Sequence, residues 1–465
     1  MTDHSQGAAP TELGTFRIGK LLRMYAVPGI IAQTAASLYN MVDSIYIGHI
    51  PGVGSAAISG LAVTFPLMNL SIAMGTLVGV GAMTMISFLL GQKNYDHARK
   101  VLSNTLTLNI IIGLIFTAVT LPLLEPILRF FGASDVTLPY AKSYMEIIIV
   151  GNALTHLYHG FNGVIRCSGN PKIAMGLTLF TVISNAILDP VFIFVLDMGI
   201  RGAAVATILC QLAALIYTFR FLADKTRVLH FVRPIFRLDW SFAKKSLAIG
   251  MGPFLMHAAA CLVALFVNQQ LFRYGGDLSI GAYGIVNRLT MFFAMVCMGF
   301  NQGLQPIAGY NYGARQYKRV KEAFILAAKC EVIVTTLCFA VSVFIPRTAV
   351  SLFTSDPELV DKAAVAFRKM NCGFALVGFG MASSNFFQSL GMVRKSIFLS
   401  LTRQILFLLP MLYLLPLNMG EQGVWMSFPI SDILNIICSA VLIADIFKKF
   451  NRQKEGEEST MLGKE

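Results

Sequence analysis

Long apolar runs recur along the chain, separated by short polar stretches. A hydrocarbon core needs roughly 20 apolar residues per helix. On that criterion the pattern predicts twelve spans, at 18–46, 57–89, 101–123, 138–165, 173–196, 202–222, 243–272, 279–308, 320–345, 360–388, 396–416 and 422–446. The fold class expected is therefore an all-α polytopic membrane protein of twelve transmembrane helices.

The loops alternate in charge. Of the 37 Lys and Arg, 26 cluster at the start of the first span, in and beside the loops after every second span and behind the last, including Lys93, Arg99, Lys100, Arg166, Lys172, Arg315, Lys318, Arg394 and Lys395. The loops of the other side hold Arg129, Arg201, Arg273, Arg347 and Lys362. The positive-inside rule then puts both termini and the central loop in the cytoplasm.

An even number of spans with both ends inside suits two six-span halves, and the sequence repeats at about half its length. Pro28 and Pro253 each open a half, and each is followed fifteen residues later by a polar residue, Asp43 and Asn268. "GQKNYDHARKV" from Gly91 matches "GARQYKRVKEA" from Gly313, "CSGNPKIAM" from Cys167 matches "SLGMVRKSI" from Ser389, and "DMGIRGAAV" from Asp197 matches "NMGEQGVWM" from Asn418. Copies with an even number of spans run in the same direction. They predict two six-helix lobes related by a pseudo-twofold axis along the membrane normal, with a cleft between them suited to alternating access. The organisation expected is a polar cytoplasmic tail over 1–16, an amino-terminal lobe over 17–222, a cytoplasmic linker over 223–242, a carboxyl-terminal lobe over 243–447 and a cytoplasmic tail over 448–465.

Composition agrees with the bilayer. The chain is 55% hydrophobic and 13% charged, with a mean hydropathy of +0.67, whereas soluble domains carry about a quarter charged residues. The net charge of +13 sits in clusters between apolar runs, a pattern of topology and not of a nucleic-acid face. The first 16 residues lack the basic start and apolar core of a signal peptide. Eight cysteines lie mostly in apolar runs without a C-x-x-C pair, so neither a zinc site nor a disulfide framework is expected.

Polar residues inside the spans carry the chemistry, because an ionisable group at membrane depth is costly. Asp43 lies in "SLYNMVDSIYIG" and Asp189 in "NAILDPVFIF". At about 1.5 Å per residue, Asp189 and Thr207 lie at matching depth on adjacent helices, roughly 12–15 Å below the outer turn near Gly199. Asn185 shares the helix face of Asp189, and Asp43 and Tyr144 lie within reach in the outward half of the same lobe. Pro190 removes a donor to the carbonyl of Ala186; it is either a bend that changes with the charge beside it or a fixed packing kink. The oxygen-rich set suits a proton or Na⁺ at Asp43, Asn185, Asp189 and Thr207. Glu146, Glu331 and Asp432 lie nearer span ends or among polar neighbours and read as helix-end or interhelical pairs. Arg288 and Arg403 read as paired with carbonyls or snorkelling. His156 and His159 are spaced i, i+3 without a neighbouring carboxylate, which makes a metal or enzyme centre a poor fit.

"VPGIIAQTAASLYNMVDSIYIG", "RCSGNPK", "NAILDPVFIF" and "QGLQPIAGYNYGARQY", with the repeat, resemble the multidrug and toxic compound extrusion (MATE) family over residues 17 to 450 or so. The resemblance implies drug efflux driven by inward Na⁺ or H⁺, with no cofactor and no enzymatic activity. In its amino-lobe-coupled bacterial branch the coupling site falls here on Asp43, Tyr144, Asn185, Asp189 and Thr207, with Pro28 and Pro190 as conformational kinks. Another branch uses acids on helices 7 and 10, where this chain has Asn268 and "MNCGFALVGFGM". Phe65, Met68, Asn162 and Gln211 are candidate cavity residues for amphipathic cationic drugs. The partners expected are the lipid bilayer and small-molecule drugs, not nucleic acid, and the protein is expected as a monomer in a bacterial cytoplasmic membrane. The competing readings are a lipid-linked oligosaccharide flippase, for which the chain has few buried arginines, and a membrane-embedded enzyme.

Overall fold

A computed structural model describes residues 12–236, 238–354 and 356–452. The predicted tails lie outside the described residues over 1–11 and 453–465, as do Arg237, Lys454 and Lys464. Among the described residues every regular element is helical. The α-helices of eight residues or more are α1 (Ile18–Gly48), α2 (Gly54–Gly91), α3 (Tyr95–Thr120), α4 (Leu138–Val150), α5 (Asn152–Cys167), α6 (Pro171–Pro190) and α7 (Ile200–Ala223). A continuous helix, Trp240–Gly313, leaves helical geometry only at Gly276, which divides it into α8 (Trp240–Gly276) and α9 (Leu278–Gly313). There follow α10 (Tyr317–Phe344), α11 (Pro357–Met370), α12 (Val377–Ser389), α13 (Val393–Leu401), α14 (Leu409–Met419) and α15 (Glu421–Arg452).

Local chemistry sets several starts. Asn94 Oδ1 accepts from the His97 amide and caps α3, and Asp356 caps α11 through the Glu358 amide. Pro171 and Pro357 take the first helical position, where no donor is needed.

Nine helices among the described residues are long and apolar enough to cross a membrane. The other three predicted spans depart from that standard for physical reasons. In α1 the apolar run is diluted by Lys20, Arg23, Gln33, Tyr39 and Asp43. The span expected at 138–165 is interrupted at Gly151, where a β-carbon would meet Ile208 Cδ1 of α7 at 2.3 Å. The span expected at 360–388 is interrupted after Met370 and resumes through a short 3₁₀ turn, Phe374–Leu376. The loop expected between 272 and 279 shrinks to the kink at Gly276.

The chain forms two compact units. One holds Ile31–Phe254, and the other holds Phe16–Ile30 with Leu255 onward. Within the first, a β-carbon on Gly250 would fall 1.7 Å from the Leu77 carbonyl oxygen, so α8 begins in close backbone contact with α2. Within the second, a β-carbon on Gly303 would fall 2.7 Å from the Ala26 nitrogen, so α1 begins in the same kind of contact with α9.

The repeat is written into the backbone. Gly199 (φ 55°, ψ −138°) and Gly420 (φ 56°, ψ −136°) make matching turns in a region open essentially to glycine. Lys93 (φ 58°) and Arg315 (φ 61°), which the motif alignment pairs, are both left-handed, as are the paired Gly169 (φ 95°) and Gly391 (φ 71°).

Candidate functional site

The first unit gathers polar side chains from four helices into an apolar surround. Asp189 is 0% exposed, Asn185 and Tyr144 2%, and Asp43 5%. Asn185 and Asp189 lie one turn apart on α6, which ends at Pro190. Pro190 has no amide to give the Ala186 carbonyl, and the chain continues as a π-helical turn over Val191–Val195. The change from α- to π-helical bonding therefore lies immediately beyond the acid.

Thr207 on α7 organises the set. Its hydroxyl donates to the Ala203 carbonyl at 3.0 Å. It accepts from Asn185 Nδ2 at 3.2 Å and from the Tyr39 hydroxyl at 2.8 Å. One proton and two lone pairs are thereby used. Thr207 consequently orients Asn185. Asn185, with its amide nitrogen committed to Thr207, leaves its carbonyl oxygen for the site.

The acids are brought into mutual range. Asp43 and Asp189 interact electrostatically with each other and with Tyr39 and Tyr144. Four buried acceptor oxygens lack a well-formed hydrogen bond: Asp43 Oδ1, both Asp189 carboxylate oxygens, which have only the Asn185 amide nearby, and Asn185 Oδ1. Buried polar atoms are ordinarily paired, so a set of acceptors converging without well-formed hydrogen bonds suits a proton or a small cation. A static polar knot would have paired them. Tyr39 is a member that the sequence pattern alone did not single out; its position four residues before Asp43, on the same face of α1, was the available signal.

The four candidate cavity residues occupy different settings. Phe65 is 67% exposed. Met68 packs on the core formed around Leu67, Tyr144 and Met145. Asn162 is buried, donating to the Ala174 carbonyl at 2.9 Å and accepting from Arg166 at 3.2 Å. Gln211 accepts from Thr155 at 2.6 Å. Asn162 is thus committed to its neighbours, because Arg166 is itself buried and needs an acceptor.

In the second unit Asn268, the repeat counterpart of Asp43, is exposed. Arg403 pairs with the buried Asp432 at 2.6 Å, not with a carbonyl, because a carboxylate one helix away is the stronger acceptor. Glu331 is fully buried at the middle of α10 and not near its end. His156 Nε2 donates to the Ser71 carbonyl, 2.9 Å away, and His159 lies against the Tyr158 ring.

The sequence matches the MatE family over residues 28–191 and 254–414. It is 27% identical to the multidrug export protein MepA of Staphylococcus haemolyticus (strain JCSC1435) over 435 residues, 94% of each chain. A structure of the MATE multidrug transporter DinF-BH in a ligand complex is similar at 34% identity with a TM-score of 0.86, over 95% of this chain and 98% of that one. A structure of MATE in the bent conformation, 23% identical with a TM-score of 0.88 over 96% and 100% of the two chains, has the same fold.

Proposed function

The chain belongs to the MatE family, a multi-pass membrane family whose matched relatives are multidrug exporters and not enzymes, and from this we propose a coupled mechanism. The protein exports amphipathic, cationic drugs and toxic compounds by antiport against H⁺ or Na⁺ through alternating access. It acts as a monomer in a bacterial cytoplasmic membrane, with both termini in the cytoplasm, and uses no cofactor.

The coupling cation binds at Asp43 and Asp189 with the Asn185 carbonyl, while Tyr39, Tyr144 and Thr207 hold these groups in place. The observation that carries this reading is the set of four buried acceptor oxygens without well-formed hydrogen bonds on α1 and α6. Cation binding neutralises acids that are otherwise costly to bury. The bend at Pro190, next to Asp189, is where such a change of charge is converted into a change of helix geometry, with Pro28 as the corresponding kink in α1. Coupling requires that cation and drug bind the two states with different affinity. Phe65, Met68 and Gln211 remain proposed drug contacts; Asn162 is a positioning residue for Arg166.

The test is efflux of a fluorescent cation from proteoliposomes of purified full-length protein, with Na⁺ and pH gradients imposed separately and ATP absent. Export under one gradient and not the other identifies the ion. Export under neither gradient would overturn the antiport reading.

A further inference from the structure

Glu331 is the most deeply placed acid of the second unit. It sits fourteen residues from the start of the 28-residue α10, roughly 20 Å from either end. Its side chain is 0% exposed, and its one hydrogen bond is weak: Oε2 accepts from Asn301 Nδ2 of α9 at 3.3 Å. Glu331 Oε1 and Asn301 Oδ1 are both buried without a donor. Asn301 is 8% exposed.

Asp432, in the same unit, provides the contrast. Its charge is met by Arg403 at 2.6 Å. Glu331 forms no ion pair among the described residues, and the titratable groups that feel its charge are the thiols of Cys297 on α9 and Cys330 on its own helix. A lone buried carboxylate costs several kcal/mol unless something cationic meets it.

The backbone around Glu331 is fixed. Its carbonyl accepts from Thr335 Oγ1 at 3.1 Å. Thr335 Oγ1 also lies 2.9 Å from the Ala375 carbonyl and accepts from the Gly378 amide at 3.3 Å. A β-carbon on Gly378 would fall 2.4 Å from the Glu331 carbonyl carbon. The 3₁₀ break at Phe374–Leu376 is thus held against the turn of α10 that carries the acid. Broken helices beside buried acids are where membrane transporters build ion sites.

The repeat shows that this pair is particular to the second half. The alignment of "GQKNYDHARKV" with "GARQYKRVKEA" sets Asn109 opposite Glu331 and Gly79 opposite Asn301. Neither position of the first half carries an acid. The buried acids of the first half are Asp43 and Asp189 instead.

We propose that Glu331, with Asn301 beside it, forms a second monovalent-cation site, taking H⁺ or Na⁺ at the Glu331 carboxylate. One carboxylate matches one monovalent charge. A divalent ion such as Ca²⁺ or Mg²⁺ would be left half neutralised by this single buried acid. The site lies on helices different from the second-lobe positions that lack acids here, and it does not depend on the first-unit site.

The test uses full-length protein in detergent carrying Asp43→Asn and Asp189→Asn, so that first-unit acids are silent. Dicyclohexylcarbodiimide, which labels buried carboxyl groups in their protonated form, is applied and the label at residue 331 is quantified by mass spectrometry. Suppression of the label by Na⁺ at fixed pH, with K⁺ as control, assigns sodium. Suppression by raised pH across the neutral range, without a Na⁺ effect, assigns the proton. Asn301→Ala should raise the half-suppressing cation concentration about tenfold, as loss of one ligand to a buried charge does. Label at residue 331 indifferent to both Na⁺ and pH in this protein would overturn the proposal. Efflux is not read in this assay, so its outcome is separate from that of the antiport reading.

Discussion

The Tyr39 hydroxyl donates to Thr207 Oγ1 across 2.8 Å, joining α1 to α7 over 168 positions of sequence. Thr207 in turn receives Asn185, so the tyrosine helps to hold an amide that it does not touch. Tyr39→Phe removes this one donor and leaves both acids. A net hydrogen bond is worth about 1 kcal/mol, so the cation concentration for half-maximal efflux should rise about fivefold, with expression unchanged. An unchanged cation dependence would show that Thr207 orients Asn185 without Tyr39.

Asp43 and Asp189 are the only members of the set able to carry the countercharge. Asp43→Asn and Asp189→Asn each keep shape and remove charge. Gradient-driven export from proteoliposomes should fall to the level of empty vesicles in both, while the purified proteins keep their elution volume in gel filtration. Normal export by both variants would sink the assignment of the coupling site.

The Arg403–Asp432 pair is structural. Asp432 is buried, and Arg403 reaches it with a side chain about a third exposed. Removing one partner of a buried pair costs about 3 kcal/mol or more, less where water reaches the cation, because a charge is stranded. Arg403→Leu should therefore lower the thermal midpoint in detergent markedly. Arg403→Leu with Asp432→Leu should recover most of the loss, since no charge is left unpaired. Equal losses in the single and double variants would mean that the pair contributes through packing.

Much of this architecture was legible in the sequence, and the parts that were not share a cause. Hydropathy summed over twenty residues finds a span but not a one-residue interruption, so the breaks at Gly151 and after Met370 leave no mark on it. Depth counted from turn positions alone puts Asp189 and Thr207 level, whereas the hydrogen bond of Thr207 goes to Asn185, one turn away on the same face of α6. Partners chosen across helices, such as Arg403 for Asp432 or Asn301 for Glu331, depend on helix rotation, which apolar periodicity leaves undefined when a helix is hydrophobic all round.

Gly199 and Gly420 occupy nearly the same backbone conformation at the same place in each half. A β-carbon is strained there by about 1–3 kcal/mol. Gly199→Ala and Gly420→Ala should each lower the thermal midpoint in detergent, and by similar amounts. A loss at one position only would mean that the two turns, alike in backbone, are supported differently by their surroundings.

Pro190 stands between the acid of α6 and the π turn that follows it. Pro190→Ala restores an amide for the Ala186 carbonyl. A proline inside a helix costs about 3 kcal/mol, so the variant should be more stable in a thermal melt. The straighter helix should also respond less to the charge at Asp189. Gradient-driven export should then fall while binding of a fluorescent cation persists, because the ligands are intact and the conversion of charge into bending is weakened. A variant that is more stable and exports normally would identify Pro190 as a fixed packing kink. The two outcomes separate on transport alone, since both readings make the same statement about stability.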